Sequence, residues 1–278
     1  MLTYFQAALL GLLQGASELF PISSLGHLVL VPRILGWRID MASSSFLAFA
    51  VLTHLATALV LLGFFWRDWV RIVRGILRSF ALREVREADV HARLGWLLIV
   101  GTIPAGTAGL LFQEKIQRLF AVPLLVASAL VLNGVVLLAA ERLRRSAQEG
   151  KPDDAKIARL SWIQAIGIGV AQGFALIPGL SRTGLAMTGG LVSGLSHENA
   201  ARFSFLLATP IIFAAAVLKV PELFGSPILG QAVLGALCAA FAAYLSVRFL
   251  TKYFETKTLT PFALYCIAAG ATALFLVR

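Results

Sequence analysis

Six stretches of this chain run for 16 to 21 residues without one Asp, Glu, Lys or Arg: 46–66, 94–112, 122–140, 203–218, 228–247 and 258–277. A helix of roughly 20 apolar residues crosses a ~30 Å hydrocarbon core. Lys219 lengthens the shortest stretch by snorkelling to the interface. The expectation is an all-α integral membrane protein with six spanning helices. Composition agrees: 59% of the 278 residues are apolar and 14% are charged, and mean hydropathy is +0.85. A soluble core of this size cannot hide that much apolar surface, and the same figures exclude disorder.

The net charge of +10 is organised by position. Of 24 Lys and Arg, seven lie in 67–93 and six in 141–159. Basic residues in short loops mark the cytoplasmic side, which places both loops and 252–257 inside. The basic surplus is therefore a topology signal, and no nucleic-acid partner is expected. Span 46–66 then runs from outside to inside, so both termini lie outside; Arg278 is a mild contrary sign. Trp37, Trp66, Trp69, Trp96 and Trp162 sit near segment ends, as interfacial anchors do. Cys238 and Cys266 fall within apolar spans and give no disulfide or metal pattern. The first residues have no basic n-region and no small-residue cleavage site, so no cleaved signal peptide is expected.

Residues 1–32 and 160–181 are also apolar, but Gly and Pro interrupt them. An offset of 158 lays Gln14 on Gln172, Gly15 on Gly173, Ser23 on Ser181 and Gly26 on Gly184. This is the mark of an internal repeat: 1–140 as the first copy, 141–160 as a basic cytoplasmic loop and 161–278 as the second, within a single membrane domain. One broken segment and three spans per copy invert the second copy relative to the first. Non-helical backbone survives at membrane depth only where protein or a water-filled cavity surrounds it. Both broken segments are accordingly expected to be re-entrant helix–loop–helix hairpins entering from opposite faces, the arrangement that marks a midplane site.

Each broken segment carries a lone charge, Glu18 in the first and Arg182 in the second. An ionisable group at such depth is a functional hypothesis by default; an ion pair holding the hairpins together is the plainer alternative. Gln14 and Glu18 share a helix face four residues apart and offer oxygens to a hard divalent cation, Mg²⁺ or Ca²⁺. His27 is a candidate nucleophile or general acid–base. Ser23, Ser24 and Ser181 supply hydroxyls. Arg182 presents a planar fork suited to phosphate, and loop N–H groups around Gly179, Thr183 and Gly184 can hold an anion. Together these are the parts of a phosphoryl-transfer site. His54 either lines that site or is a bonded helix histidine. Gln6, Gln164 and Asn133 are read as interhelical hydrogen-bonding groups, and His91 and His197 receive no role.

The run from Gln14 to His27 resembles the (E/Q)xxxE…PxSSxGH signature of the bacitracin-resistance type undecaprenyl-diphosphate phosphatases, and Pro178-Gly-Leu-Ser181-Arg182 resembles that family's PGxSR motif. The resemblance covers nearly the whole chain. It implies a bacterial plasma-membrane enzyme that removes one phosphate from the C55 lipid diphosphate and recycles the carrier for peptidoglycan synthesis. It also implies a divalent-metal requirement and a site opening to the outer face. By matching position, Glu18 and Gln14 sit at the metal and diphosphate, Ser23, Ser24 and His27 form the first catalytic group, and Ser181 and Arg182 bind phosphate. The family's Thr five residues after that Ser is Ala186 here; Thr188 is the expected substitute. The type-2 phosphatidic-acid phosphatases are rejected, since their SRxxxxxHxxxD needs His where Thr188 stands.

The reading is a phosphatase acting on a polyprenyl diphosphate in the membrane. Whether His27, Ser23, Ser24 or water attacks stays open, as does a homodimer. The rival is a polyprenyl-phosphate transporter or flippase, since inverted repeats with broken helices also build transporters.

Overall fold

The computed structural model describes residues 2–41, 43–86, 88–144 and 153–277; Arg278 and the centre of the 141–160 loop lie outside them. Thirteen α-helices follow one another among the described residues, with no strand: α1 Tyr4–Glu18, α2 Ser24–Ile34, α3 Ser44–Phe64, α4 Trp66–Leu82, α5 Val90–Leu111, α6 Gln113–Leu119, α7 Pro123–Leu143, α8 Asp154–Ala158, α9 Trp162–Phe174, α10 Arg182–Val192, α11 His197–Lys219, α12 Leu229–Tyr253 and α13 Thr260–Leu276. A 3₁₀ turn, Val220–Leu223, extends α11.

Five helices are long and apolar enough to cross a membrane: α3, α5, α7, α11 with its 3₁₀ turn, and α12. The sixth expected span is α13, apolar but only 17 residues long, at the lower limit for crossing. It is shorter than 258–277 because Thr258 and Leu259 form the turn that precedes Pro261. There the Leu259 N–H donates to Glu141 Oε1 at 2.5 Å.

The two broken segments fold as helix–loop–helix hairpins, α1–α2 and α9–α10. Their outer helices start alike. Thr3 and Gln6 close a capping box on α1, and Ser161 and Gln164 close one on α9, which satisfies the first orphan N–H groups. Gln6 and Gln164 are therefore capping residues, although Gln164 Nε2 also reaches Ser193 O at 3.2 Å.

The outer helices also pack alike. α1 lies on α12 and α9 on α5. A Cβ at Gly11 or Gly15 would strike the backbone of Gly235 or Ala239, and one at Gly169 the backbone of Gly101. Small residues spaced by four let the backbones approach this closely. The matched pairs rise together along both helices, so α1 runs parallel to α12 and α9 parallel to α5. Since α12 starts at the bundle end where α5 finishes, the hairpins enter from opposite ends and meet in the middle.

The 67–93 segment is more than a loop. Its first part is α4, a 17-residue helix lying along α5. Ile72, Gly75 and Ser79 face the bundle, while Arg71, Arg74, Leu77 and Phe80 do not. At the same end, Arg202 of α11 bonds Asp154 of α8 at 2.7 Å and Asp68 of α4 at 3.0 Å. His197 Nε2, wholly buried, lies 2.7 Å from Glu141 Oε1. These contacts tie α4, α7, α8 and α11 together at one end, a role no sequence pattern assigned to His197.

Candidate active site

The hairpin tips touch at the centre of the bundle. The Gly179 N–H of the second donates to Ser23 Oγ of the first at 3.2 Å, and Thr183 Oγ1 donates to Glu18 O at 3.0 Å. Asn133 of α7 clamps both tips: its Nδ2 donates to Pro21 O, and its Oδ1 accepts from the Ser181 N–H, each at 2.9 Å. Asn133 thus does join elements, and it does so where it fixes the loops.

Each inner helix begins on a serine cap. Ser23 Oγ accepts from the Gly26 N–H, and Ser181 Oγ from the Gly184 N–H. Ser23 holds φ 67°, a left-handed conformation that costs a non-glycine residue energy and persists where surroundings over-determine it. That bend delivers Ser24 as the first residue of α2, facing Glu18. Arg182 is the first residue of α10, delivered from the other side.

Glu18 is the hub. Its Oε1 pairs with the Arg182 guanidinium, and its Oε2 accepts from Ser24 Oγ. His54 Nε2 of α3 lies 2.9 Å from Oε2 and 3.3 Å from Ser24 Oγ. Because His54 Nδ1–H is committed to Ala50 O at 2.6 Å, a proton must sit between Nε2 and one of these oxygens for the contact to be favourable. Gln14 Nε2 donates to Oε2 at 3.4 Å, and Gln14 Oε1 accepts from Thr57.

The structure sorts the expected residues. Glu18, Ser23, Ser24, Ser181 and Arg182 line one cavity of about 930 Å³, joined there by His54 and Gln172. His27 does not line it. Its ring turns back so that Nδ1 meets Ser23 O at 2.7 Å and Nε2 meets the Tyr265 hydroxyl at 2.8 Å, stacked on that ring. This is the i,i+4 contact of a residue in the first turn of α2, and it braces the Ser23 bend. The N–H groups of Gly179 and Gly184 are spent on serine hydroxyls, and Thr183 is buried against Glu18 O. These three hold the hairpin tips together behind the cavity and are not in its lining. Thr188 lies almost two turns along α10, outside the cavity lining, with its hydroxyl buried. Gln14 presents an amide N–H to Glu18 and so orients the carboxylate.

From this polar floor the cavity continues as an apolar groove of about 980 Å³. It shares Leu47, Phe120, Ile211 and Ala215 with the cavity and ends at Gln113, Gln117 and Lys219. The residues it touches lie toward the α6 end, away from the Arg202 and His197 contacts at the α4 end. A charged floor leading into an apolar groove fits a lipid with a phosphorylated head.

The sequence pattern described as "Bacitracin resistance protein BacA" matches residues 7–272. The chain belongs to the bacitracin resistance protein BacA family. Among its relatives is an undecaprenyl-diphosphatase of Mycolicibacterium paratuberculosis, 48% identical over 98% of this chain and 97% of the relative. Undecaprenyl-diphosphatase 2 of Frankia alni is 42% identical, with 97% and 96% covered. Undecaprenyl-diphosphatase 1 of Burkholderia pseudomallei is 47% identical, with 94% and 92% covered. Both hairpin tips and every residue of the Glu18 hub fall inside the matched range.

Among the described residues no group of three or more His, Cys, Asp or Glu gathers as a metal cage. Glu18, already countered by Arg182, is the one carboxylate in the cavity lining. Mg²⁺ is commonly held by one or two carboxylates together with substrate phosphates. The donor set suits a cation that arrives on a diphosphate, with Glu18 and the Ser24 hydroxyl as its protein oxygens.

Proposed function

We propose that this chain hydrolyses undecaprenyl diphosphate to undecaprenyl phosphate and inorganic phosphate, recycling the lipid carrier for cell-wall synthesis and giving bacitracin resistance. The observation that carries the reading is the Ser24–Glu18–Arg182 constellation at the floor of an apolar groove, in a chain whose full-length relatives are named undecaprenyl-diphosphatases.

In this reading the lipid tail lies in the groove and the diphosphate meets Arg182. The anion takes over the guanidinium from Glu18, which leaves that carboxylate free to accept a proton. Ser24 Oγ attacks the terminal phosphorus, and its proton passes to Glu18. The bond from that phosphorus to the bridging oxygen breaks, so undecaprenyl phosphate leaves. Glu18 gives that proton to the departing lipid phosphate; water then attacks the phosphoserine, its proton goes to Glu18 and is returned to Ser24 Oγ as the serine oxygen–phosphorus bond breaks, and inorganic phosphate is released. His54 holds Glu18 and Ser24 in register throughout. Arg182 offsets the charge that builds on the phosphoryl oxygens. A divalent cation bound with the diphosphate would be held by Glu18 and Ser24 and would add to that neutralisation.

The protein sits in the bacterial plasma membrane with the α6 end outward. The basic loops and α4 at the other end support this, by the excess of Lys and Arg on cytoplasmic faces. The one-sided cavity and the activated hydroxyl favour hydrolysis over transport. The test is phosphate release by purified protein given farnesyl or undecaprenyl diphosphate with Mg²⁺ or Ca²⁺. Release is expected; movement of the lipid across liposomes without release would overturn the reading.

A further inference from the structure

We propose that Gln172 contacts the substrate, its side-chain amide donating to a non-bridging oxygen of the diphosphate. The proposal rests on the hydrolase reading above and extends it to a residue that neither motif contains.

Gln172 stands on α9, two residues before its end, and is 2% exposed. Neither its Nε2 nor its Oε1 has a hydrogen-bond partner among the described residues. A buried amide left unpaired is costly and rare. Here the residue lines the same cavity as Glu18, Ser181 and Arg182, so the unpaired amide belongs to the wall of the place where the anion would lie.

Gln14 shows what the alternative looks like. It holds the equivalent position on α1, and its amide is fully used by Glu18 and Thr57. One glutamine has protein partners at both ends of its amide; its counterpart is unpaired at both ends and belongs to the cavity wall. The need is also plain from charge. Arg182 is the only Lys or Arg in the cavity lining, whereas a diphosphate offers several anionic oxygens. The two N–H bonds of Gln172 add donors without adding a second buried cation, and its Oε1 accepts from water held beside the anion.

The experiment uses the purified full-length chain, farnesyl diphosphate with Mg²⁺, inorganic pyrophosphate as competitor and thermal unfolding as a control. Gln172→Leu keeps the volume and removes both unpaired groups. It is expected to raise KM about 10- to 100-fold, the value of a hydrogen bond to a charged group. The pyrophosphate inhibition constant should rise by a similar factor, with Tm unchanged or higher. Gln172→Asn, which keeps the amide, should lose less, and Gln172→Glu, which adds repulsion, should lose more. The proposal is overturned if Gln172→Leu leaves KM and the pyrophosphate constant within twofold. It is equally overturned if Leu and Asn lower Tm and rate together without moving that constant. If Gln172→Leu does not fold, the Asn and Glu variants carry the comparison. A wild type that releases no phosphate would instead defeat the hydrolase reading, and calorimetric pyrophosphate binding to wild type and variants would then decide the contact separately.

Discussion

Ser24 and Arg182 each occupy the first residue of an inner helix, each directly behind a capping serine, and they grip the two oxygens of one carboxylate, that of Glu18. The pair of hairpins is thereby locked through a group that the proposed reaction must release. This double duty makes stability and activity separable by mutation.

Removing one member of the Glu18–Arg182 pair leaves a buried charge alone. Arg182→Ala and Glu18→Ala should each cost about 3–5 kcal/mol of stability and reduce phosphate release to background. The double variant Glu18→Gln/Arg182→Gln should recover most of the stability and none of the activity. Thermal unfolding in detergent beside a phosphate assay measures both, and a stable, active single variant would contradict the assignment.

Ser24→Ala should lower kcat by at least ~10³-fold, as loss of a nucleophile does elsewhere, with Tm nearly kept. Acid quench of wild type during turnover of ³²P-labelled lipid diphosphate should trap label on Ser24. A fully active Ser24→Ala protein would move the attack to water.

The two histidines should respond differently. His54 acts through Nε2 toward Glu18 and Ser24, and a glutamine amide can place a donor near that point. His54→Gln should keep more activity than His54→Leu, by roughly tenfold for one hydrogen bond. His27 braces the Ser23 bend through Ser23 O and Tyr265, so His27→Ala should lose Tm and kcat together. Equal effects of Gln and Leu at 54 would remove His54 from the hub.

The small-residue joints of the two halves should be equally intolerant. Gly11→Val and Gly169→Val each drive a side chain into facing backbone and should cost more than the 1–3 kcal/mol usual for overpacking. Gly167→Ala, with open space at its Cβ, should be neutral or gain up to ~1 kcal/mol from helix propensity. Unfolding midpoints of the three variants test this.

A bulky residue in the groove should discriminate by tail length. Ala215→Trp is expected to raise KM for undecaprenyl diphosphate by at least tenfold while sparing inorganic pyrophosphate hydrolysis or binding. Equal effects on both would place the tail elsewhere.

Much of this was legible in the chain because lipid punishes polarity. Glu18 and Arg182 stand out as lone charges in uncharged segments, and the repeat shows at one fixed offset. What stayed hidden depends on helix rotation and side-chain direction. His27 sits in the signature run yet turns away toward Tyr265, whereas His54, a single residue in an apolar span, turns in. Sequence spacing cannot say which face of α3 meets α1. Gln172 was visible only as the mate of Gln14; its unpaired amide is a property of the packed structure. α4 was concealed by its own arginines, which read as loop charge until their helical spacing meets a bundle to lie on.

The shared address of Ser24 and Arg182 has an implication for how such a centre arises. Two unmodified copies of one hairpin, facing each other head to head, would present two hydroxyls or two guanidiniums. Neither arrangement has both an attacking group and an electrostatic grip. Ser24 and Arg182 stand at one matched address with different side chains, and only that difference lets the proposed reaction have both.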